Sequence, residues 1–126
     1  MIRSMSGTGR VGVALLGSDL ILSSRLESAL APQGVRVARA AEETALAPAP
    51  VVFIDLNSHT EGRLQVIGRL HSRDPKAVIV GFCDHDERDV RRRAVAAGAH
   101  QVVANRHLAE AAARIVSGAA LRNAQT

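Results

Sequence analysis

VVFIDL, residues 51–56, is a short apolar run that ends in one carboxylate, Asp55, before the polar segment Asn57, Ser58 and His59. A run of this length, rich in β-branched side chains and bounded by turn residues, predicts a strand covered on both faces. An acid at the C-terminal end of such a strand is presented at the edge of the sheet, where ligands and partners gather in open α/β folds. Asp55 is thus the residue to explain.

Apolar runs alternate with segments of helical period on either side of this strand, which is the sequence form of βα units around a parallel sheet. Upstream, residues 11–16 form a first strand. Gly17 and Ser18 make a turn from which Ser18 caps a helix over residues 19–30, with Leu20, Ile21, Ser24, Leu26 and Leu30 on one side. Pro32 and Gly34 end it. Residues 35–38 alternate apolar with Arg36 as an edge strand does, and a short helix over residues 41–46 stops before Pro48 and Pro50. Downstream of Asp55, Ser58 and Glu61 stand at capping-box spacing and open a helix carrying Leu64, Val66, Ile67 and Leu70. A fourth strand covers residues 77–82. Asp86 caps a helix over residues 87–97, stopped by Gly98. Residues 101–104 form a fifth strand, and a last helix runs over residues 107–117.

The chain has 126 residues, enough for one domain with a core and too few for two. We expect a tail over residues 1–10, a domain over residues 11–118 and a second tail over residues 119–126. Hydrophobic residues make up 47% and charged residues 22%, which excludes a disordered chain. The net charge of +4 permits acidic partners without demanding them. A single Cys, Cys83, excludes an internal disulfide framework and fits a reducing, cytoplasmic compartment. Arg3 and Arg10 precede an apolar run, as in an export signal, but Ser18, Asp19, Arg25 and Glu27 follow too closely. No apolar stretch is long enough to cross a bilayer. With Phe53 and Phe82 as the only aromatic residues there is no stacking platform for nucleic acid or flavin, and Gly17 alone follows the first strand where a phosphate-cradling loop needs more glycine. No cofactor or resident metal is expected, and no enzymatic activity.

Five strands and five helices in this order resemble the receiver domain of bacterial two-component response regulators. VVFIDL, AVIVGFC (residues 77–83) and AVAAGAHQVVANRHL (residues 94–108) carry the resemblance, which covers nearly the whole chain. It implies a flavodoxin-like, CheY-like three-layer α/β/α domain with strand order 2-1-3-4-5, and it places Asp55 at the phosphoacceptor position. In that family two acids after the first strand hold magnesium beside the phosphoacceptor. Here those positions fall at residues 16–18, and only Asp19, one step on, is acidic. The family's Ser or Thr at the end of the fourth strand matches Cys83, its Lys matches Asn105 followed by Arg106, and its switch aromatic matches Val102. The resemblance thus implies a pseudo-receiver whose pocket contains Asp19, Cys83, Asp84 and Asn105.

Phosphoryl transfer depends on charge placed around the phosphoryl group, and these replacements all weaken the same step. We therefore expect a stand-alone signalling protein that acts on a protein partner, with no output domain after the fifth helix. For the partner surface the family implies the fourth helix, fifth strand and fifth helix, here Arg88, Arg91, Arg92, Val102 and Arg106, which also serve homodimers. The plain alternative for the Arg-rich helix is a solvated face on which Asp89 pairs with Arg93. For Asp55 the alternatives are a working phosphoacceptor and a carboxylate that accepts backbone N–H groups from Asn57–His59. Cys83, Asp84 and His85 allow a third reading, a redox- or metal-responsive switch, against the plainer one of a small buried thiol. His71, His100 and His107 are expected at solvated helix ends.

Overall fold

The computed structural model describes residues 12–84 and 87–125. The tail expected over residues 1–10 lies outside them, as do His85 and Asp86. Nine regular elements run β1 (Val13–Leu16), α1 (Leu20–Leu30), β2 (Val37–Ala40), β3 (Val51–Asp55), α2 (Thr60–Arg73), β4 (Val78–Cys83), α3 (Arg88–Ala97), β5 (Gln101–Ala104) and α4 (Leu108–Gln125) among the described residues. All strands are parallel in the order β2-β1-β3-β4-β5, which is the expected 2-1-3-4-5 arrangement. Val13 pairs with Val37 on one side and Val51 on the other. β3 is therefore an interior strand, and every one of its five residues is buried.

Alternation along the strands divides the core in two. Val13, Leu15, Val51, Phe53, Val80 and Phe82 point to one face and meet Leu22, Leu26 and Leu30 of α1 with Leu108, Ala112 and Val116 of α4. Ala14, Leu16, Val52, Ile54 and Ile79 point to the other and meet Leu64, Ile67 and Leu70 of α2 with Val90 and Ala94 of α3. Phe53 and Ile54 are wholly enclosed. At about 25 cal/mol per Å² of apolar surface, this two-sided burial is the main force holding the sheet.

Several local expectations are corrected. The cap of α1 is Asp19, not Ser18: its Oδ1 accepts N–H groups of Ile21 (2.9 Å) and Leu22 (3.0 Å). The buried stripe of α1 is Leu22, Leu26 and Leu30 at a four-residue repeat, so Leu20, Ile21 and Ser24 face outward. No capping box forms at Ser58. His59 is the N-cap residue of α2, in the left-handed region at φ 53, and makes no side-chain cap bond. The helix expected over residues 41–46 is a single 3-10 turn, Glu43–Ala45. Nor does the last helix stop at residue 117, since α4 continues through Gly118 to Gln125.

Ion pairs fasten the outer elements. Arg69 of α2 donates from Nε and Nη2 to the Glu43 carboxylate, and Arg93 of α3 grips Glu61 of α2 with both Nη groups. Each guanidinium holds its partner's carboxyl below the usual carboxylate range, chiefly by hydrogen bonding. His100 accepts the Ile79 N–H at Nδ1 (3.0 Å) while its backbone N–H donates to Ile79 O (2.7 Å), extending the β4–β5 ladder by one step. His100 is thus a sheet-end residue with a specific bond and not merely a solvated one.

Candidate functional site

The C-terminal ends of β1, β3, β4 and β5 converge on Asp55, which is only 4% exposed. Its Oδ1 accepts two hydrogen bonds from one residue, the Asn57 backbone N–H (2.8 Å) and the Asn57 side-chain Nδ2 (2.7 Å). The first is the bond expected of a carboxylate that stabilises its own turn. Asn57 also meets Asn105, just beyond β5. Each amide donates from Nδ2 to the other's Oδ1, both at 3.1 Å. A chain of hydrogen bonds therefore runs from Asp55 through Asn57 to the residue aligned with the family's Lys.

On the opposite side the backbone itself closes against Asp55. A Cβ placed on Gly17 would stand 2.8 Å from Asp55 Cβ and 3.2 Å from Oδ2. Only a residue without a side chain fits this approach, so an acid at position 17 has no room in the present backbone. The other nearby acid, Asp19, spends its Oδ1 on capping α1. Across the β4 end, Leu56 N–H donates to Phe82 O (2.8 Å) and keeps the strand exit rigid.

Below Asp55 lies a residue the sequence reading overlooked. Arg63 is 6% exposed, and its Nη1 donates to the Asp55 carbonyl oxygen at 2.8 Å. A buried cation is costly unless it is bonded, and here it ties α2 to the end of β3. The signal was available, because residues 63, 67 and 70 share the inward face of α2. Reading Arg as a surface residue by type hid it.

Beside the Asn57–Asn105 pair a groove of about 550 Å³ is lined by Asp19, Ile21, Leu22, Arg25, Asn57, Asp84, Glu87, Asn105 and Arg106. Three carboxylates face two guanidinium groups around it. Asp19, Asp84 and Asn105, expected in the pocket, are brought together here. Cys83 is not among the lining residues: it is 1% exposed and packs in the core beneath α2 and α3. Among the described residues no three His, Cys, Asp or Glu side chains group as a metal site would require.

The expected partner surface is divided. Arg91 donates from Nη1 to Val102 O and so fastens α3 to β5. Val102 is 5% exposed and packs against Gly81, which leaves it in the core. Val102 is thus a core residue, whereas Arg91 is half-buried and bonded to the β5 backbone. Arg92 pairs with Asp89, and Arg93 also reaches Asp89 at 3.6 Å, the surface pairing expected for that helix. Arg88 and Arg106 remain exposed. A different apolar surface appears at the start of α1, where Leu20 is 72% and Ile21 67% exposed. Among the described residues no helix is long and apolar enough to cross a membrane.

No protein-family model and no curated protein matches the chain. Solved structures do. A response regulator from Thermotoga maritima is similar at 21% identity and a TM-score of 0.73, over 86% of this chain and 98% of that one. A CheY-like protein, TadZ, from Pseudomonas aeruginosa PAO1 is similar at 19% identity and a TM-score of 0.73, over 87% and 99%. NtrX from Brucella abortus gives 13% identity and a TM-score of 0.73 over 92% of this chain, which spans 28% of NtrX. With the parallel order β2-β1-β3-β4-β5 and helices on both faces, the chain has the fold of response-regulator receiver domains.

Proposed function

We propose that this receiver fold serves as a pseudo-receiver, a non-enzymatic signalling module that acts by docking to a protein partner and not by magnesium-dependent phosphorylation of Asp55. One observation carries the reading. Oδ1 of Asp55 accepts two hydrogen bonds from Asn57, Asn57 is paired to Asn105, and Gly17 closes the side where the family places an acid. Receiving a phosphoryl group on a carboxylate needs a metal and a fixed cation to offset the added charge. Neutral amides supply donors and no charge.

Docking falls to the surface beside the groove. Leu20 and Ile21 expose apolar area next to Arg25 and Arg106, and exposed apolar groups rimmed by charge are a common mark of protein contact. Arg88 and Arg92 of the Arg-rich helix form the second candidate surface, and the lone thiol Cys83 suits a cytoplasmic setting.

Incubation with acetyl phosphate and magnesium, followed by intact mass measurement, is expected to give no adduct. A phosphate adduct that disappears in Asp55→Asn would establish the phosphoacceptor reading instead. For docking, cross-linking to the partner should be lost in Leu20→Asp/Ile21→Asp and retained in Arg88→Glu/Arg92→Glu. The reverse pattern would move the contact to α3.

A further inference from the structure

At the opposite edge of the sheet from Asp55, the connection between β2 and β3 encloses a cavity of about 400 Å³. It exists because residues 41–50 form only the 3-10 turn Glu43–Ala45, where the sequence predicts a helix. The turn is tied to α2 by the two-pronged Glu43–Arg69 ion pair, and the chain re-enters the sheet at Val51. Leu46, Ala49, Val52, Leu70 and Ala77 form apolar walls, and Pro48 stiffens the lip.

Three properties mark this as a binding site. The volume lies in the roughly 300–1,000 Å³ range of small-molecule pockets. Its walls need no rearrangement to receive an apolar body: Val52, Leu70 and Ala77 are held in the core, and the lip is fixed by Pro48 and the ion pair. Charge at the rim then selects the ligand. Glu43 is neutralised by Arg69, and the remaining rim charges, Arg73 and Asp74, are one of each sign at the end of α2. A net charge on the ligand would lose water against apolar walls and find no excess of opposite charge to compensate it.

We propose that this cavity binds a small, uncharged, mainly apolar molecule of one or two rings. The site is independent of Asp55 and of the docking surface, and it links ligand occupancy to the β2–β3 connection and the C-terminal turn of α2.

The test is a titration of the full chain, labelled with nitrogen-15, with indole and separately with indole-3-acetate and tryptamine, following backbone amide shifts. Indole should give saturable shifts centred on Leu46, Ala49, Leu70 and Ala77. Both charged analogues should bind about tenfold more weakly, the cost of bringing a charge to apolar walls. Ala49→Trp, or Leu46→Trp should the first variant lose its native spectrum, should fill the space and abolish the shifts. Binding of either charged probe as tight as indole overturns the proposal. So do indole shifts centred elsewhere, shifts that survive the filled cavity, or the lack of any saturable shift.

Discussion

Gly17→Asp is expected to destabilise the fold by about 3 kcal/mol, through overpacking and like-charge repulsion beside a buried carboxylate. The new Cβ would stand 2.8 Å from Asp55 Cβ, so the β1 exit must shift. Its hydrogen bond from Gly17 N–H to Ala40 O (2.9 Å) moves with it. The carboxylate added there would face the buried Asp55 carboxylate at close range, and the two like charges repel. Urea unfolding with and without magnesium measures this. The expected result is a lower midpoint that magnesium does not restore. A variant that magnesium stabilises above the parent would show that an acid fits at position 17 and rebuilds an ion site there, against the close approach of Gly17 to Asp55.

Gly98→Ala is expected to lose about 3 kcal/mol as well, from a backbone conformation nearly confined to glycine together with overpacking. Gly98 sits at φ +130 where α3 ends, and its N–H caps the helix on Ala94 O (3.2 Å) and Val95 O (3.1 Å). A methyl group there would meet His71 Cβ at 2.5 Å and Cγ at 2.6 Å. His71 is held by α2 close to its own backbone and cannot swing aside at Cβ. Thermal unfolding of Gly98→Ala, alone and with His71→Gly, separates the two costs. Removing the His71 side chain should recover the overlap and leave the torsional part. Full recovery would mean that the backbone at Gly98 carries no strain.

Much of this architecture was legible because the strands obey simple patterns. β3 and β5 begin and end where apolar runs meet turn residues, at Val51, Asp55, Gln101 and Ala104. The alternation of elements pointed to a parallel sheet, and the strand order came from the receiver resemblance. The errors arose where two residues compete for one role. Ser18 and Asp19 are both capping types, and only the geometry of the first turn chose the carboxylate. Leu20 and Ile21 are apolar by type, yet a helix packed through Leu22, Leu26 and Leu30 must turn them to water. The 3-10 turn at Glu43–Ala45 replaced a helix because the segment before Pro48 is too short to propagate one and gains more from the Glu43–Arg69 pair.

The candidate site was legible in its members and not in its wiring. Asp55, Asp19, Asp84 and Asn105 do gather at one edge. Asn57 was named only as a turn residue, and its second bond, to Asn105 across 48 positions of sequence, has no local signature. Arg91 and Val102 were read as surface residues because type and alignment position say nothing of orientation. Val102 is buried in the core, and Arg91, half-buried, bonds to its carbonyl.

The closure over Asp55 has a thermodynamic character of its own. Two carboxamides neither titrate in the biological range nor attract counterions, so the Asn57–Asn105 clasp holds with the same strength in dilute and concentrated electrolyte and on either side of neutrality. A clasp of that kind gives way to displacement of the strands that carry it, not to chemistry in the surrounding solution.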